Sequence, residues 1–298
     1  MTHQNSLKKR ITNGAVFIMF TAPALIFVML VTNIPFLMNF YYSVFEWNGI
    51  SSTMKFVGLD NFVKLFTSDK QFAQSAWFTL RFSVFYVVIV NVISLAIAVA
   101  LAKPRRMNNL GRAFYYVPYI ISLTAISLIW KFIFGPGFEA LSGVTHWEFF
   151  GWSWVGTPSL AFWVVVIMTV WQNIGFYMVI YVAGLLAVPT DVLEAGTIDG
   201  ASRWQSFRHI TFPLIMPSIS ICMLTSLTFA FKLFDVIMVF TKGGPANSTV
   251  SVAYNIYKDA FISSQYGSAT AKSLIFFVAV LGVTAIQLYV TKSKEVES

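Results

Sequence analysis

Six long stretches of the sequence consist almost entirely of apolar residues. A helix needs about 20 such residues to cross the roughly 30 Å of hydrocarbon in a bilayer, where the backbone must satisfy its own hydrogen bonds. The predicted spans are Gly14–Phe40, Thr79–Ala102, Ala113–Phe134, Leu160–Leu186, Phe212–Thr241 and Ala271–Val290. They predict an all-α membrane protein with six transmembrane helices, in which residues 1–298 form a single transmembrane domain.

The composition agrees with a membrane location. Hydrophobic residues make up 57% of the 298 residues and charged residues only 11%, whereas a soluble domain carries about 25% charged residues. The net charge of +8 would suggest nucleic acid as a partner of a soluble protein, but here the basic residues lie at span ends, so no nucleic acid is expected. A single cysteine, Cys222, excludes a disulfide within the chain and a cysteine metal site, and no metal is expected.

The basic residues also predict the orientation of the chain. Loops on the cytoplasmic side of a membrane collect Lys and Arg. Eleven basic residues lie on one predicted side: Lys8, Lys9, Arg10, Lys103, Arg105, Arg106, Arg112, Arg203, Arg208, Lys292 and Lys294. The opposite loops hold fewer, namely Lys55, Lys64, Lys70, Lys242, Lys258 and Lys272. Both termini are therefore predicted to be cytoplasmic, with the first span uncleaved because its apolar run continues beyond Ala22-Pro23-Ala24.

A polar segment, about residues 187–212, separates the fourth span from the fifth and overlaps the sequence EAGTIDGASRWQSFRHITFPLIMP, Glu194–Pro217. Thr190 or Asp191 is a candidate N-cap, and Glu194 follows Asp191 at the spacing of a capping box. These signals predict a short helix over Val192–Ile198 that Gly200 ends.

A second short helix is predicted before Pro213, and it carries Ala201, Trp204, Phe207 and His209. A connection with its own helix signals is unusual for a simple tether, so we interpret it as a docking surface for a soluble protein. A solvated connecting loop is the alternative interpretation.

The order of residues in this segment resembles the EAA signature of ABC-importer permeases. The matching positions are Glu194-Ala195-Gly196, Asp199-Gly200-Ala201, Phe207, Ile210, Pro213 and Pro217. The chain departs from the signature at Gly196, where Ala is common and where Gly costs a helix roughly 1 kcal/mol. The six spans and the sequence FKLFDVIMVFTKGGPANST extend the resemblance over about Ile11 to Lys294, to the sugar and glycerol-3-phosphate branch (maltose-permease-like).

This resemblance implies the type I importer permease fold, with the polar segment as a cytoplasmic coupling helix between helices 4 and 5. Glu194, Ala195, Gly196, Asp199, Gly200 and Ala201 are then the expected coupling residues. The chain has no G-x-x-x-x-G-K-[ST] phosphate loop, so we expect it not to be an enzyme. The resemblance implies that two copies of a separate ABC ATPase bind the ATP and Mg²⁺.

The resemblance implies further partners as well. An extracytoplasmic solute-binding protein would deliver the substrate, and a second permease would complete the path through a bacterial inner (plasma) membrane. The C-terminal sequence LYVTKSKEVES lacks a glycine- and alanine-rich tail, which favours pairing with a non-identical permease. A homodimer remains an alternative.

One face of the fourth span combines amides with an aromatic ring. Thr169, Gln172, Asn173 and Phe176 have the i, i+3, i+4, i+7 spacing of a single helical face. Amides bind hydroxyl groups and rings stack on the C–H faces of sugars, so the face is a candidate substrate path. The equal alternative is that these amides join neighbouring membrane helices.

The fifth span contributes further candidates. Ser226, Phe229 and Leu233 share one predicted face, and Thr225, Lys232 and Asp235 share another. Ionisable residues inside a membrane are candidates for function, although Lys232 and Asp235 could also form a structural ion pair. A paired Lys232 favours a neutral sugar, whereas a free one would attract a phosphate or carboxylate.

Three other functions fit the sequence less well than an ATP-driven importer. A secondary transporter driven by an ion gradient often has two related halves with broken helices, and no such repeat is visible here. A membrane enzyme is disfavoured because His3, His146 and His209 all lie outside the span centres and no catalytic motif occurs. A channel would leave the polar segment without a purpose.

Overall fold

The computed structural model describes residues 16–103 and 105–292. In this part of the chain, four continuous helices are long and apolar enough to cross a membrane: Val16–Ser43, Lys70–Leu101, Pro158–Leu186 and Tyr266–Thr291. Two further helix pairs qualify together but are bent, Arg106–Ile120 with Leu123–Thr145 by 94° and Arg203–Leu214 with Met216–Phe231 by 68°. Counting each bent pair as one crossing gives six spans, the number that the sequence predicts.

In chain order the elements are α1 (Val16–Ser43), β1 (Phe45–Glu46), β2 (Lys55–Phe56), α2 (Asp60–Thr67), α3 (Lys70–Leu101), α4 (Arg106–Ile120), α5 (Leu123–Phe132), α6 (Phe138–Thr145), α7 (Glu148–Gly151), α8 (Pro158–Leu186), α9 (Thr190–Ile198), α10 (Arg203–Ser206), α11 (Phe212–Leu214), α12 (Met216–Phe231), α13 (Val252–Tyr257) and α14 (Tyr266–Lys292). Five π-helical turns accompany them, at Met29–Asn33, Ile133–Gly137, Phe207–Thr211, Ile237–Thr241 and Lys258–Ile262.

The chain forms two compact units, of which the first comprises the chain up to Thr67 together with Asp259–Ile275. Strands β1 and β2 pair antiparallel beyond the end of α1. The Asn61 amide donates to the carbonyl oxygens of Ser43 at 2.8 Å and Phe45 at 3.0 Å, which ties α2 to the hairpin. A buried ion pair between Lys272 and Asp259 holds the other segment of this unit.

The second unit comprises Ser68–Lys258 and the chain from Phe276 onward. Its core lies along α8, against which α3, α4 and α12 pack. Gly175 permits the approach of α4, because a Cβ atom there would lie 2.1 Å from the carbonyl oxygen of Tyr115. On α3, the Ser94 hydroxyl donates to the Ile174 carbonyl at 3.0 Å. The division into two units does not test the single-domain interpretation, which stays a prediction.

A buried polar chain joins three helices of the second unit. The Tyr181 hydroxyl on α8 donates to Asn91 Oδ1 on α3 at 2.6 Å, and Asn91 Nδ2 donates to Ser226 Oγ on α12 at 2.9 Å. Hydrogen bonds between membrane helices are worth about 0.6 kcal/mol each on average. These hydrogen bonds therefore fix the register of the three helices as well as adding stability.

The third predicted span is broken, so the prediction of a continuous helix over Ala113–Phe134 is wrong. Pro118 lies near the end of α4, and Ile121 and Ser122 are extended, with ψ of 136° and 143°. Proline removes a hydrogen bond from the turn that precedes it and so weakens the end of α4, whereas the break itself consists of the two extended residues that follow. Ser122 then caps α5 by accepting from the Ala125 amide at 3.3 Å.

The fifth predicted span, Phe212–Thr241, is also not one helix. The chain bends at Ile215 between Pro213 and Pro217, and α12 ends at Phe231. Helical structure resumes only after Phe234 and includes the π-helical turn Ile237–Thr241. Side chains on either side of this second break do not share a helical face, which affects the predicted substrate path.

The structure leaves the predicted orientation untested. Lys8, Lys9, Arg10 and Lys294 lie outside the described residues, as does the side chain of Lys292.

Among the remaining basic residues, Arg112 has an additional structural role. Its guanidinium donates from Nε to the Leu101 carbonyl at 3.0 Å and from Nη2 to the Ala102 carbonyl at 2.8 Å, which satisfies the C-terminal end of α3.

Candidate functional site

A cavity of about 650 Å³ lies in the second unit. Its walls come from the break between α4 and α5, from the middle of α8 and from the end of α12. Broken helices are tolerated at membrane depth where they line a cavity, because water or a ligand can then reach the freed backbone groups. The two breaks that the sequence did not predict therefore form the walls of this cavity.

Five of the eight predicted substrate-path residues line the cavity. They are Gln172, Asn173 and Phe176 on α8, Phe229 on α12 and Asp235 just beyond it. Their roles in transport stay predictions, but the structure brings their side chains to one space. The helical face recognised in the fourth span supplies three of them.

Gln172 connects the cavity to the break between α4 and α5. Its Nε2 donates to the Ile121 carbonyl at 3.1 Å, which satisfies a backbone group that the break leaves without a helical partner. Its Oε1 is buried and has no hydrogen-bond partner among the described residues. A buried acceptor without a partner is costly, and a ligand hydroxyl would satisfy it.

Aromatic rings stand close to the amides. Tyr119 and Phe176 stack with centroids 4.7 Å apart and an interplanar angle of 18°. Asn173 Nδ2 donates to the Thr169 carbonyl at 2.8 Å, and this bond fixes the orientation of the amide. The combination of amide groups, hydroxyl groups and ring faces suits a polyhydroxylated ligand.

Three predicted residues do not line the cavity. Thr169 is fully buried and donates to the carbonyls of Val165 and Val166 on its own helix. Ser226 is fully buried in the polar chain with Asn91. Leu233 is buried beyond the end of α12, so the face it was predicted to share with Ser226 and Phe229 does not exist.

Lys232 and Asp235 both line the cavity and are exposed, but no ion pair joins them in the described structure. The predicted pairing rested on a helical i, i+3 spacing, and the chain is not helical at Leu233 and Phe234. The alternative of a structural ion pair is therefore not supported, and both charges face the same open space.

The lining residues that the sequence analysis missed include Tyr119, Ser122 and Thr228. Tyr119 and Ser122 flank the break between α4 and α5. The available signal was Pro118, since a proline within an apolar run indicates a kink or an end of a helix. No local signal distinguishes Thr228, whose position depends on how α12 packs.

The polar segment has the two helices that the sequence predicts. Helix α9 ends in a Schellman motif, in which the Ala201 amide donates to the Gly196 carbonyl at 2.9 Å and the Gly200 amide to the Thr197 carbonyl at 3.1 Å. Gly200 has φ of +78°, a left-handed conformation that disfavours most side chains. Asp199-Gly200-Ala201 thus has a local explanation as a helix terminus.

The predicted caps of α9 are wrong. Pro189 occupies the N-cap, and neither Thr190 nor Asp191 accepts a backbone N–H there. A capping box lies instead at the start of α10, where Ser202 accepts from the Gln205 amide at 3.3 Å and the Ser202 amide donates to Gln205 Oε1 at 2.8 Å. The S-x-x-Q spacing was the available signal.

Gly196 is explained by packing. It is buried, and a Cβ atom at this position would lie 2.5 Å from Cδ1 of Ile210. Glu194, Ala195, Asp199 and Gly200 are exposed, and Ala201 is partly buried. The segment therefore exposes Glu194, Asp199 and Gly200 on its surface, whereas Gly196 is buried.

Two relatives align with almost the whole chain. The probable starch degradation products transport system permease protein AmyD of Thermoanaerobacterium thermosulfurigenes is 39% identical over 285 residues, which are 96% of this chain and 97% of the relative. The multiple sugar-binding transport system permease protein MsmF of Streptococcus mutans is 32% identical over 262 residues, 88% of this chain and 90% of the relative.

The fold is similar to that of solved transporters. The crystal structure of a bacterial ABC transporter involved in the import of the acidic polysaccharide alginate has a TM-score of 0.82 at 19% identity, over 97% of this chain and 99% of that chain. The crystal structure of a bacterial alginate ABC transporter in complex with alginate pentasaccharide-bound periplasmic protein has a TM-score of 0.79 at 20% identity, over 96% of each chain. The predicted fold class is confirmed.

The model of one protein family matches residues 91–296, a range that includes the cavity and the polar segment. This match covers more than half of the chain and confirms the family resemblance predicted from the EAA-like motif. The chain belongs to the family of inner membrane components of binding-protein-dependent transport systems.

Proposed function

We propose that the chain, as the permease subunit of an ABC importer, forms the translocation path for a sugar together with a second, non-identical permease. The observation that carries the proposal is the cavity at the two helix breaks, whose lining combines Gln172, with its unpartnered Oε1, and the stacked Tyr119 and Phe176 rings. The names of AmyD and MsmF support a sugar, and the name of AmyD supports an oligosaccharide.

Glycerol-3-phosphate is the second candidate, because Lys232 faces the cavity without an ion-pair partner. Asp235 lines the same cavity and would repel an anion that Lys232 attracts, which favours the neutral sugar. A Lys232→Gln variant separates the two. Uptake of a neutral sugar should change less than about threefold, whereas a phosphate substrate should lose at least about tenfold, as expected for a charge-assisted contact.

We further propose that the complex holds two copies of a cytoplasmic ATPase, which supply the ATP and Mg²⁺ sites, and that one copy binds the polar segment 187–212 of this chain. An extracytoplasmic binding protein delivers the sugar, and the membrane is the bacterial inner membrane with both termini in the cytoplasm. The exposed Glu194, Asp199 and Gly200 support an external partner for the segment. Cysteine labelling of a Gly200→Cys variant in intact cells tests the orientation, since labelling from outside contradicts it.

The deciding experiment measures solute binding by the cognate external binding protein, followed by uptake of that solute into proteoliposomes that hold the whole complex. Uptake should stop when the catalytic site of the ATPase is disabled. Uptake that continues under an ion gradient would replace the proposal with a secondary transporter.

A further inference from the structure

Arg81 on α3 is a cation that the proposed function does not use. Its guanidinium carbon lies 3.9 Å from the centroid of the Phe162 ring, and the side chain is partly buried. Within residues 16–103 and 105–292, Arg81 makes no hydrogen bond and no ion pair. Stacking on a ring holds a guanidinium in place but leaves its N–H donors available.

The position of Arg81 along α3 places it at the membrane surface. Leu101, where α3 ends next to the basic residues Lys103 and Arg105, lies about 20 residues away, or roughly 30 Å at 1.5 Å per residue. This distance matches the thickness of the hydrocarbon core, so Arg81 lies at the opposite head-group level. Trp77, one turn earlier, is 65% exposed, and tryptophan is enriched at this level.

Arg81 and Trp77 border a cavity of about 460 Å³. The lining also includes Gln74, Ser159, Asn247 and Ser248, and none of the described lining residues is acidic. The Ser248 hydroxyl is buried without a hydrogen-bond partner. Helix α8 begins at Pro158, and its N-cap Thr157 provides no side-chain cap, so the amide end of a 29-residue helix adds positive potential.

We propose that this cavity binds the phosphate of an anionic phospholipid from the leaflet at this end of α3, with Arg81 as the main charged contact. On the proposed orientation, this is the outer leaflet. An unpaired guanidinium, a buried hydroxyl and a helix N-terminus together match a phosphate group. The head-group depth and the exposed indole favour a lipid over a soluble anion. The site is independent of the solute cavity and goes beyond the proposed function.

The test uses the intact transporter complex in nanodiscs of phosphatidylcholine with phosphatidylglycerol, and native mass spectrometry counts the phosphatidylglycerol molecules retained after extraction. Retention by Arg81→Gln should fall about tenfold. Lys70→Gln is the matched control, because Lys70 is an exposed cation at the start of the same helix and lies outside the cavity. It should retain phosphatidylglycerol as the unmodified chain does.

A second variant tests the same cavity independently, in case Arg81→Gln misfolds. Asn247 has φ of +60°, a conformation that Asp also tolerates, so Asn247→Asp adds a negative charge to the cavity with little strain. It should lower retention to a similar extent. The proposal is overturned if both variants retain the lipid, if inorganic phosphate displaces it, or if the variants lose only the docking of the binding protein.

Discussion

The solute cavity and the polar segment are two polar regions of an apolar chain, and they are built in opposite ways. The segment consists of consecutive residues whose structure follows from local hydrogen bonds, such as the Ala201-to-Gly196 bond that ends α9. The cavity collects side chains from α4, α8 and α12, and two helix breaks form its walls. A contiguous motif can therefore be recognised in sequence, whereas a cavity requires the packing of distant elements.

The largest expected effect lies in the segment. Gly200→Asp and Glu194→Lys should each lower uptake by about 100-fold or more, because both exposed positions lie on the surface proposed to dock the ATPase. The new aspartate side chain at position 200 should not clash within the chain, since no described atom beyond the two neighbouring residues lies within 4 Å of the Cβ position at Gly200. Expression and membrane insertion should not change. Uptake into proteoliposomes and co-purification of the ATPase are the measurements.

Gly58→Asp is the matched control for Gly200→Asp. Gly58 also has positive φ, +59°, and open space around its Cβ position. It lies in the first compact unit, outside the polar segment. Uptake by this variant should remain near that of the unmodified chain. Equal losses in both variants would attribute the effect to backbone strain rather than to docking.

The next effect tests how far the cavity depends on packing. Gly175→Ala would place a methyl group 2.1 Å from the Tyr115 carbonyl oxygen, a backbone atom that cannot rotate away. Such overpacking typically costs about 1 to 3 kcal/mol. Thermal unfolding of the purified complex should show a lower Tm, and uptake should fall with it.

Gly282→Ala on α14 is the corresponding control. No atom lies within 4 Å of its Cβ position, so the substitution should be neutral or slightly stabilising. A Gly175→Ala variant as stable as Gly282→Ala would mean that α4 and α8 do not approach closely at this point.

A moderate effect tests the amides themselves. Gln172→Ala combined with Asn173→Ala should lower uptake about tenfold or more while the ATPase still co-purifies, because the loss is confined to the cavity. Thr169→Val is the control: Thr169 belongs to the same predicted face, but its hydroxyl bonds only to its own helix. Unchanged uptake in the double variant would return both amides to a structural role.

The sequence predicts the parts of this molecule that depend on local patterns. Apolar length predicted the spans, and spacing predicted α9 together with its end at Gly200. It did not predict the breaks near Pro118 and beyond Phe231, because both lie inside apolar runs that satisfy the length criterion. The second break, which the sequence did not predict, also explains why Leu233 does not line the cavity and why no ion pair joins Lys232 to Asp235 among the described residues.

The smallest effect concerns the one departure from the EAA signature. Gly196→Ala should gain up to about 1 kcal/mol of helix propensity but push against Ile210 Cδ1, 2.5 Å from the new methyl group, so its net effect on the stability of α9 should be small. Ile210→Val removes that carbon. The double variant should therefore show a favourable coupling of about 0.5 to 1 kcal/mol, measured as amide hydrogen-exchange protection of α9.

Uptake should be retained in these variants, because Gly196 is buried against Ile210, whereas the residues proposed to dock the ATPase are exposed. If the effects of the two single substitutions on hydrogen-exchange protection simply add in the double variant, contact with Ile210 is not the reason for a glycine at position 196. A loss of uptake in Gly196→Ala alone would instead place this backbone in contact with the ATPase, and the segment would then resemble the cavity in depending on a distant partner.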